Sequence, residues 1–313
     1  MSKKPIPGPL NGRTILDCSI LLPGPFTAKL LALKGARVIK VENPEKPDPV
    51  RDLGPFYDEL NSCKEIVWLN LKKEEDQAKF AELVKKSDGL IEAFRPAAKV
   101  RLGLDAARLH SLNPKICVAS IVGYPEDGPW RDRAGHDLNF QAVTGFLSVM
   151  KGMTGLPLAD VMTCFEAAFS MSSMLDAAAR GATGLKTSVS LSETLLKAQS
   201  LWIHEYRVTG ELPKYGETLA TGKFPCYGIY EAADGRKISV GAIEKKFWVT
   251  TCDVLGIPEL AEHGYATGPK GKETRTRAEQ AFRSKKWSEW APLFDQADCC
   301  VEPVLDYSEL EKK

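Results

Sequence analysis

The sequence predicts an α/β protein: a parallel sheet wrapped by helices, followed by a smaller α+β region. Three observations carry this. Short apolar runs bounded by glycine or proline alternate with helical stretches from Thr14 to about residue 125. The connections between them stay short, as crossover units require. After Gly210 the character changes to two strands joined by Ala233-Asp234-Gly235, a hairpin signal, and then to helices. A large domain over 1–209 and a small one over 210–313 are expected.

The elements follow in order. Thr14–Leu22 (TILDCSILL) is an apolar run closed by Pro23 and reads as a buried strand. Phe26, Leu30, Leu31 and Leu33 recur at helical spacing, and Gly35 ends that helix. Ala36–Glu42 is the next strand, which completes a β-α-β unit. Glu42 stands where dinucleotide enzymes place an acid on the ribose, yet no GxGxxG precedes it, so a nicotinamide site is a weak reading. Strands at Ile66–Leu71, Gly89–Phe94 and Ile116–Ile121 alternate with helices at Glu74–Lys86 and Asp105–Leu112, with Asp105 as a cap. A long helix over Val161–Ala179, a short strand at Thr187–Ser190 and a helix from about Ser190 to Val208 complete the first part. The second part has strands at Tyr227–Glu231 and Lys237–Gly241. Helices follow at Glu244–Leu255, Arg275–Arg283 and Trp287–Gln296. Glycine, proline and lysine crowd Pro213–Pro225, read as a linker, and Gly264–Lys272, read as a flexible loop.

Composition narrows the function. The 313 residues carry a net charge of +1, so no strong field recruits nucleic acid or a membrane surface. No run approaches the about 18–20 apolar residues of a membrane span, and the first residues lack the apolar core of a signal peptide. The eight cysteines show no CxxC spacing and read as reduced thiols of a cytoplasmic protein. Four scattered histidines argue against a zinc site.

The chemistry concentrates between Gly128 and Asp160. His136 sits in Ala134-Gly135-His136-Asp137, and Asp160 stands at the head of the long apolar helix. Both groups exchange protons, and Gly145, Gly152 and Gly155 between them ease a reversal of the chain. Asp160 has a simpler role available as the N-cap of that helix, and a helix start also stabilises a carboxylate. A lone histidine is more often structural than catalytic.

An ordered set of stretches resembles a known family. These are PGPFTAKLLALKGARVIKVENP (23–44), LNLK (69–72), IEAFRP (91–96), RLGL (101–104), GYPEDGPWRDRAGHDLNF (123–140), YEAADGRKISVGAIEKKFW (230–248) and CCVEPV (299–304). Together they resemble the class III CoA-transferase superfamily (CaiB/BaiF), and within it the α-methylacyl-CoA racemases, over nearly the whole chain. The resemblance implies a Rossmann-like large domain, a smaller α+β domain and an interlocked homodimer. It implies CoA contacts at Leu22, Pro23, Asn43, Leu69, Asn70, Leu71, Lys72, Phe94, Arg95, Arg101, Ala134, Gly135 and Asp137, besides His136. Lys72, Arg95 and Arg101 are the chemical type that binds phosphate.

The superfamily's transferases use an aspartate nucleophile that forms an aspartyl-CoA thioester, and Asp160 matches it. Its racemases pair that aspartate with a histidine, matched by His136, and with a glutamate, matched by Glu244. The glycine-rich GGGGQ loop of formyl/oxalyl-type transferases has ATGKFPCYG in its place. The implied activity is therefore epimerisation of a 2-methylacyl-CoA thioester in lipid metabolism, by two-base proton transfer through an enolate. CoA enters as part of the substrate, with no other cofactor. N–H groups at the start of the Asp160 helix are expected to stabilise the enolate oxygen. CoA transfer between carboxylic acids through Asp160 is the alternative. Met162, Met171 and Met174 are candidates for an acyl pocket, with core filling the commoner role for such residues. The sequence departs from the pattern at LADVMTCF, where racemases carry glycines after the aspartate, at Asn43 in place of an arginine, and at Ala97 in place of a glycine.

Overall fold

The computed structural model describes residues 7–311. One compact unit runs to Leu147 and resumes over Gly152–Gly210; the second holds Ser148–Lys151 and continues from Glu211.

The first unit is built on six parallel strands: β1 (Thr14–Cys18), β2 (Arg37–Glu42), β3 (Glu65–Trp68), β4 (Gly89–Glu92), β5 (Cys117–Val122) and β6 (Lys186–Ser190), in the order β3-β2-β1-β4-β5-β6. The order reverses between β1 and β4, where doubly wound sheets place their ligands, beyond the carboxyl ends of the strands. β1, β2, β4 and β5 are almost continuously buried, because helices cover both faces. α1 (Pro23–Ala32), α6 (Asp137–Val143), α7 (Leu158–Ala179) and α8 (Leu191–Ala198) lie with the core that contains Ile15, Ile91, Ala119, Phe140 and Met171. α3 (Glu74–Lys85) and α5 (Ala106–Leu112) close the other face over Leu16, Ile39, Leu90 and Val118. The expected cap on α5 is present: Asp105 Oδ1 accepts from Arg108 N at 3.0 Å.

Several boundaries differ from the sequence expectation. β1 stops at Cys18 instead of reaching Leu22. Ser19 N donates to Asp17 Oδ1 at 3.1 Å, and Leu21 takes a left-handed φ of 66° while its N–H donates to Asp48 Oδ1. β3 and β4 likewise end early, at Trp68 and Glu92. The helix expected over 190–208 is two helices, α8 and α9 (Ser200–Thr209). They part at buried Gln199, whose amide donates to the Thr144 and Leu195 carbonyls. Short helices α2 (Pro55–Asn61) and α4 (Pro96–Arg101) were not expected, nor was α6. Each is too short to show a helical period.

In the second unit β7 (Tyr227–Glu231), β8 (Lys237–Gly241) and β9 (Val301–Pro303) form an antiparallel sheet. The hairpin turn is where the sequence placed it, with Gly235 at φ 78°. α10 (Lys245–Leu255), α11 (Gly268–Phe282) and α12 (Trp287–Ala297) pack on one face around Trp248, Phe282, Trp290 and Phe294. The buried indoles are satisfied: Trp248 Nε1 donates to Leu260 O and Trp290 Nε1 to Phe282 O. The flexible loop expected over Gly264–Lys272 is instead largely the start of α11. A Cβ on Gly271 would lie 2.3 Å from Ala266 O, so this glycine serves close packing. A last short helix, α13 (Tyr307–Leu310), follows β9. Among the described residues no helix is long and apolar enough to cross a membrane.

Candidate active site

The sheet topology explains how distant stretches reach one region. Leu22 and Pro23 follow β1, Asn43 follows β2, Leu69–Lys72 follow β3, Phe94 and Arg95 follow β4, and Ala134–Asp137 follow β5. All stand beyond the carboxyl ends of parallel strands in the first unit. Arg101 ends α4, which begins directly after Arg95. Glu244 lies in the second unit, exposed, at the N-cap position of α10.

His136 occupies the N-cap position of α6, with its ring side exposed and its backbone N–H donating to Asn139 Oδ1 at 3.1 Å. The next residue closes the loop to Asp160. Asp137 Oδ1 accepts from Ala159 N at 2.7 Å and from Asp160 N at 3.2 Å. Its other oxygen accepts from Gln141, whose amide also meets Thr154 Oγ1 at 3.0 Å. His136 and Asp160 are thus joined through one residue and one pair of hydrogen bonds.

This arrangement corrects two expectations. Asp160 is not the N-cap of its helix: α7 begins at Leu158, Pro157 holds the N-cap position, and the capping carboxylate comes from Asp137. Three of the N–H groups at the helix start are also already engaged and not free for an oxyanion. Those of Ala159 and Asp160 serve Asp137, and that of Val161 bonds Pro157 O at 3.0 Å.

The Asp160 carboxyl is half-buried, and its proton affinity is raised. Burial, and then the nearby Asp137 charge, push it from 3.8 up to about 7. Two carboxylates this close do not both ionise easily. A group titrating near neutrality can both take and give a proton, which is what general acid–base chemistry requires. One turn further along α7, the buried Cys164 thiol donates to Asp160 O at 3.1 Å, and its own pKa is pushed up to about 12, so it is inert.

Of the residues matched to CoA contacts, Lys72, Arg95 and Arg101 are exposed, and among the described residues no ion pair engages their side chains. Leu69 and Leu71 are in the core, and Leu69 N donates to Glu42 O while Leu71 O accepts from the Gln77 amide. Asn70 is buried, its N–H donating to Asp76 and its Oδ1 accepting from Lys72 N. Asn43 Oδ1 accepts from Glu45 N. Gly135 packs against Phe140, where a Cβ would come within 2.9 Å of the ring. Glu42 is taken up internally by Arg51 at 2.6 Å and the Tyr57 hydroxyl at 2.8 Å, which leaves no carboxylate for a ribose. Met171 is fully buried and fills the interior, and Met162 and Met174 are half-buried against the same core. Among the described residues no cluster of three histidine, cysteine or acidic side chains could hold a metal.

Sequence reading missed a buried charged cluster beneath this region. Lys64 Nζ donates to Asp17 Oδ2 (2.7 Å), Pro25 O (2.7 Å) and Asn61 Oδ1 (2.8 Å). Lys40 Nζ donates to Ser19 O (2.9 Å) and Asp48 Oδ2 (3.1 Å). All four charged side chains are fully buried. Burial raises the Asp17 proton affinity, but Lys64 and Lys40 outweigh it and hold the carboxyl at about 2. The cluster fixes the Ser19–Pro25 turn, where a Cβ on Gly24 would sit 2.0 Å from Ser19 Oγ. The available signal was a charge inside each apolar run, Asp17 in TILDC and Lys40 in RVIKVE.

The sequence model of CoA-transferase family III matches residues 10–313. The chain is 29% identical to the human (Homo sapiens) alpha-methylacyl-CoA racemase, covering 96% of this chain and 79% of that protein. It is 30% identical to succinyl-CoA–D-citramalate CoA-transferase of Chloroflexus aurantiacus (83% and 68% covered) and 29% identical to acetyl-CoA:oxalate CoA-transferase of Acetobacter aceti (96% and 82%). A crystal structure of a CaiB/BaiF family protein from Brucella suis superposes with a TM-score of 0.83 at 23% identity over 98% of this chain and 86% of that one, which establishes the fold.

Proposed function

The chain belongs to CoA-transferase family III, and on that premise we propose that it is an α-methylacyl-CoA racemase-like isomerase of lipid metabolism. The substrate is a 2-methylacyl-CoA thioester, with CoA as part of the substrate and no further cofactor. The observation that carries the reading is Asp160, a half-buried carboxyl beside Asp137 whose proton affinity is raised to about 7. One group of the His136/Asp160 pair removes the α-proton, the electron pair moves to the thioester oxygen as an enolate, and the other group returns a proton to the opposite face. Glu244 is the third catalytic residue of this reading, carried by the family resemblance alone. Lys72, Arg95 and Arg101 supply cations for the CoA phosphates, and the backbone around Leu22, Pro23, Asn43, Leu69–Lys72, Phe94 and Ala134–Asp137 lines the rest of that site.

Two further parts of the reading have their own support. α9 buries none of its residues and exposes Leu201 and Val208, and α7 exposes Phe165 and Phe169, apolar surface that suits a homodimer. All eight cysteines are free thiols, which suits a reducing cytoplasm.

CoA transfer through an aspartyl-CoA thioester on Asp160 is the second reading, favoured by relatives that bear transferase names at the same identity. Proton NMR of a 2-methylacyl-CoA in D2O, without a carboxylate acceptor, separates the two. Loss of the α-proton signal that disappears with Asp160→Ala supports the isomerase. No loss, with CoA exchange once a free carboxylate is added, assigns the transferase instead.

A further inference from the structure

The connection from β5 to α6 carries His136, and among the described residues its middle makes one polar link to another element. Its ends are packed: Gly123 and Gly135 both lie against the Phe140 ring, and Tyr124 is buried edge-on to Phe140 and Trp130. Between them, residues 125–134 make turns among themselves, Gly128 N to Pro125 O, Arg131 N to Gly128 O and Arg133 N to Trp130 O. Among the described residues, the polar link from this stretch to another element is Glu126 Oε1, which accepts from Lys99 Nζ of α4 at 2.8 Å.

Lys99 is itself fixed at the sheet. Its ammonium lies 3.2 Å from Glu92 Oε1 at the end of β4 and 3.2 Å from Ser120 Oγ in β5. Glu92 is fully buried, its Oε2 accepts from Phe94 N, and its Oε1 has no aligned hydrogen-bond donor. Burial raises the Glu92 proton affinity, and the Lys99 charge and then the Ser120 hydroxyl oppose that rise, so the lysine compensates a carboxylate that is costly to bury alone. Held at 3.2 Å from both Glu92 Oε1 and Ser120 Oγ, the lysine is the post to which Glu126 is tied.

We propose that Lys99 is a positioning residue for the His136 segment, anchored by Glu92 and acting through Glu126. The catalytic part rests on the isomerase reading above. The competing view is that Lys99 only neutralises Glu92, and that its contact with half-exposed Glu126 is an inconsequential surface pair.

The test uses the full chain with Glu126→Gln, which spares the buried pair, and the double variant Lys99→Met/Glu92→Gln, which removes the post without stranding a charge. Amide hydrogen exchange of residues 125–134 and the kcat and KM of α-proton exchange are measured for each. Both variants should speed amide exchange there about fivefold and lower kcat by a similar factor with KM unchanged, the upper range for a partly exposed pair. Combining all three substitutions should add nothing further. Unchanged amide exchange in Glu126→Gln overturns the proposal, as does faster amide exchange with unchanged kcat. If the unmodified protein exchanges no α-proton, the isomerase reading falls, and the amide-exchange arm alone decides whether Lys99 anchors the segment.

Discussion

Asp137 Oδ1 lies 3.2 Å from the backbone nitrogen of Asp160, so the residue after His136 caps the helix that presents the second proton-transfer candidate. One hydrogen-bonded carboxylate therefore fixes where Asp160 stands and adds to the burial that raises its proton affinity.

Replacing Asp137 by Asn keeps an oxygen acceptor for the helix start and removes the charge. The Asp160 proton affinity should fall below its value of about 7 without reaching the ordinary carboxylate range, because burial, the larger cause, remains. The acidic limb of the pH–rate profile for α-proton exchange should shift to lower pH. An unmoved limb would show that Asp137 acts as a cap alone.

Asp160→Asn should abolish exchange, a loss of about 10² to 10⁴-fold for a general acid–base group, and should alter stability in a pH-dependent way. A carboxyl whose folded-state pKa is raised stabilises the fold while protonated, and that contribution is lost as pH rises from 3.8 through about 7. Asparagine has no charge to bury. The variant should melt a few degrees above the unmodified protein at pH 8, with the gap closing near pH 4. Thermal melts across that range check it.

His136→Ala should stop exchange while leaving CoA binding and the melting temperature nearly unchanged, since the side chain is exposed at the start of α6. Calorimetric titration with CoA reads the binding arm. Loss of CoA affinity together with exchange would make the histidine part of the binding surface.

Arg95→Ala and Arg101→Ala should each weaken CoA binding by about tenfold, the scale of a charge-assisted hydrogen bond, with no change in melting temperature. The unmodified protein should lose affinity as salt rises, and each variant should lose it less steeply. Equal salt dependence in all three would remove these arginines from the phosphate site.

Lys64→Met leaves Asp17 buried beside Lys40 alone and should destabilise the first unit by about 3–5 kcal/mol. Adding Asp17→Asn should recover part of that loss. Urea unfolding followed by a probe in the first unit measures both. Asp17 also makes the fold acid-sensitive: its carboxyl is held at about 2, so its stabilisation is present above 3.8 and lost as pH falls toward 2.

By itself the sequence determined the layers of this protein. Apolar runs of strand length alternating with helical periods dictated a parallel sheet, because strands covered on both faces must be apolar throughout, as Val38–Val41 and Cys117–Val122 largely are. The hairpin at Ala233-Asp234-Gly235 was legible because its glycine takes a positive φ. His136 and Asp160 were legible as residue types and through the family resemblance. What tertiary structure decided is which groups meet. No local pattern says that Asp137 caps a helix 22 residues further on, that Glu42 is consumed by Arg51 and Tyr57, or that Asp17, Lys40, Asp48 and Lys64 share one buried cluster. Sequence periodicity reports the face a residue turns toward the core. Proton affinity and charge compensation depend on partners brought together from distant strands, and only the folded sheet selects those partners.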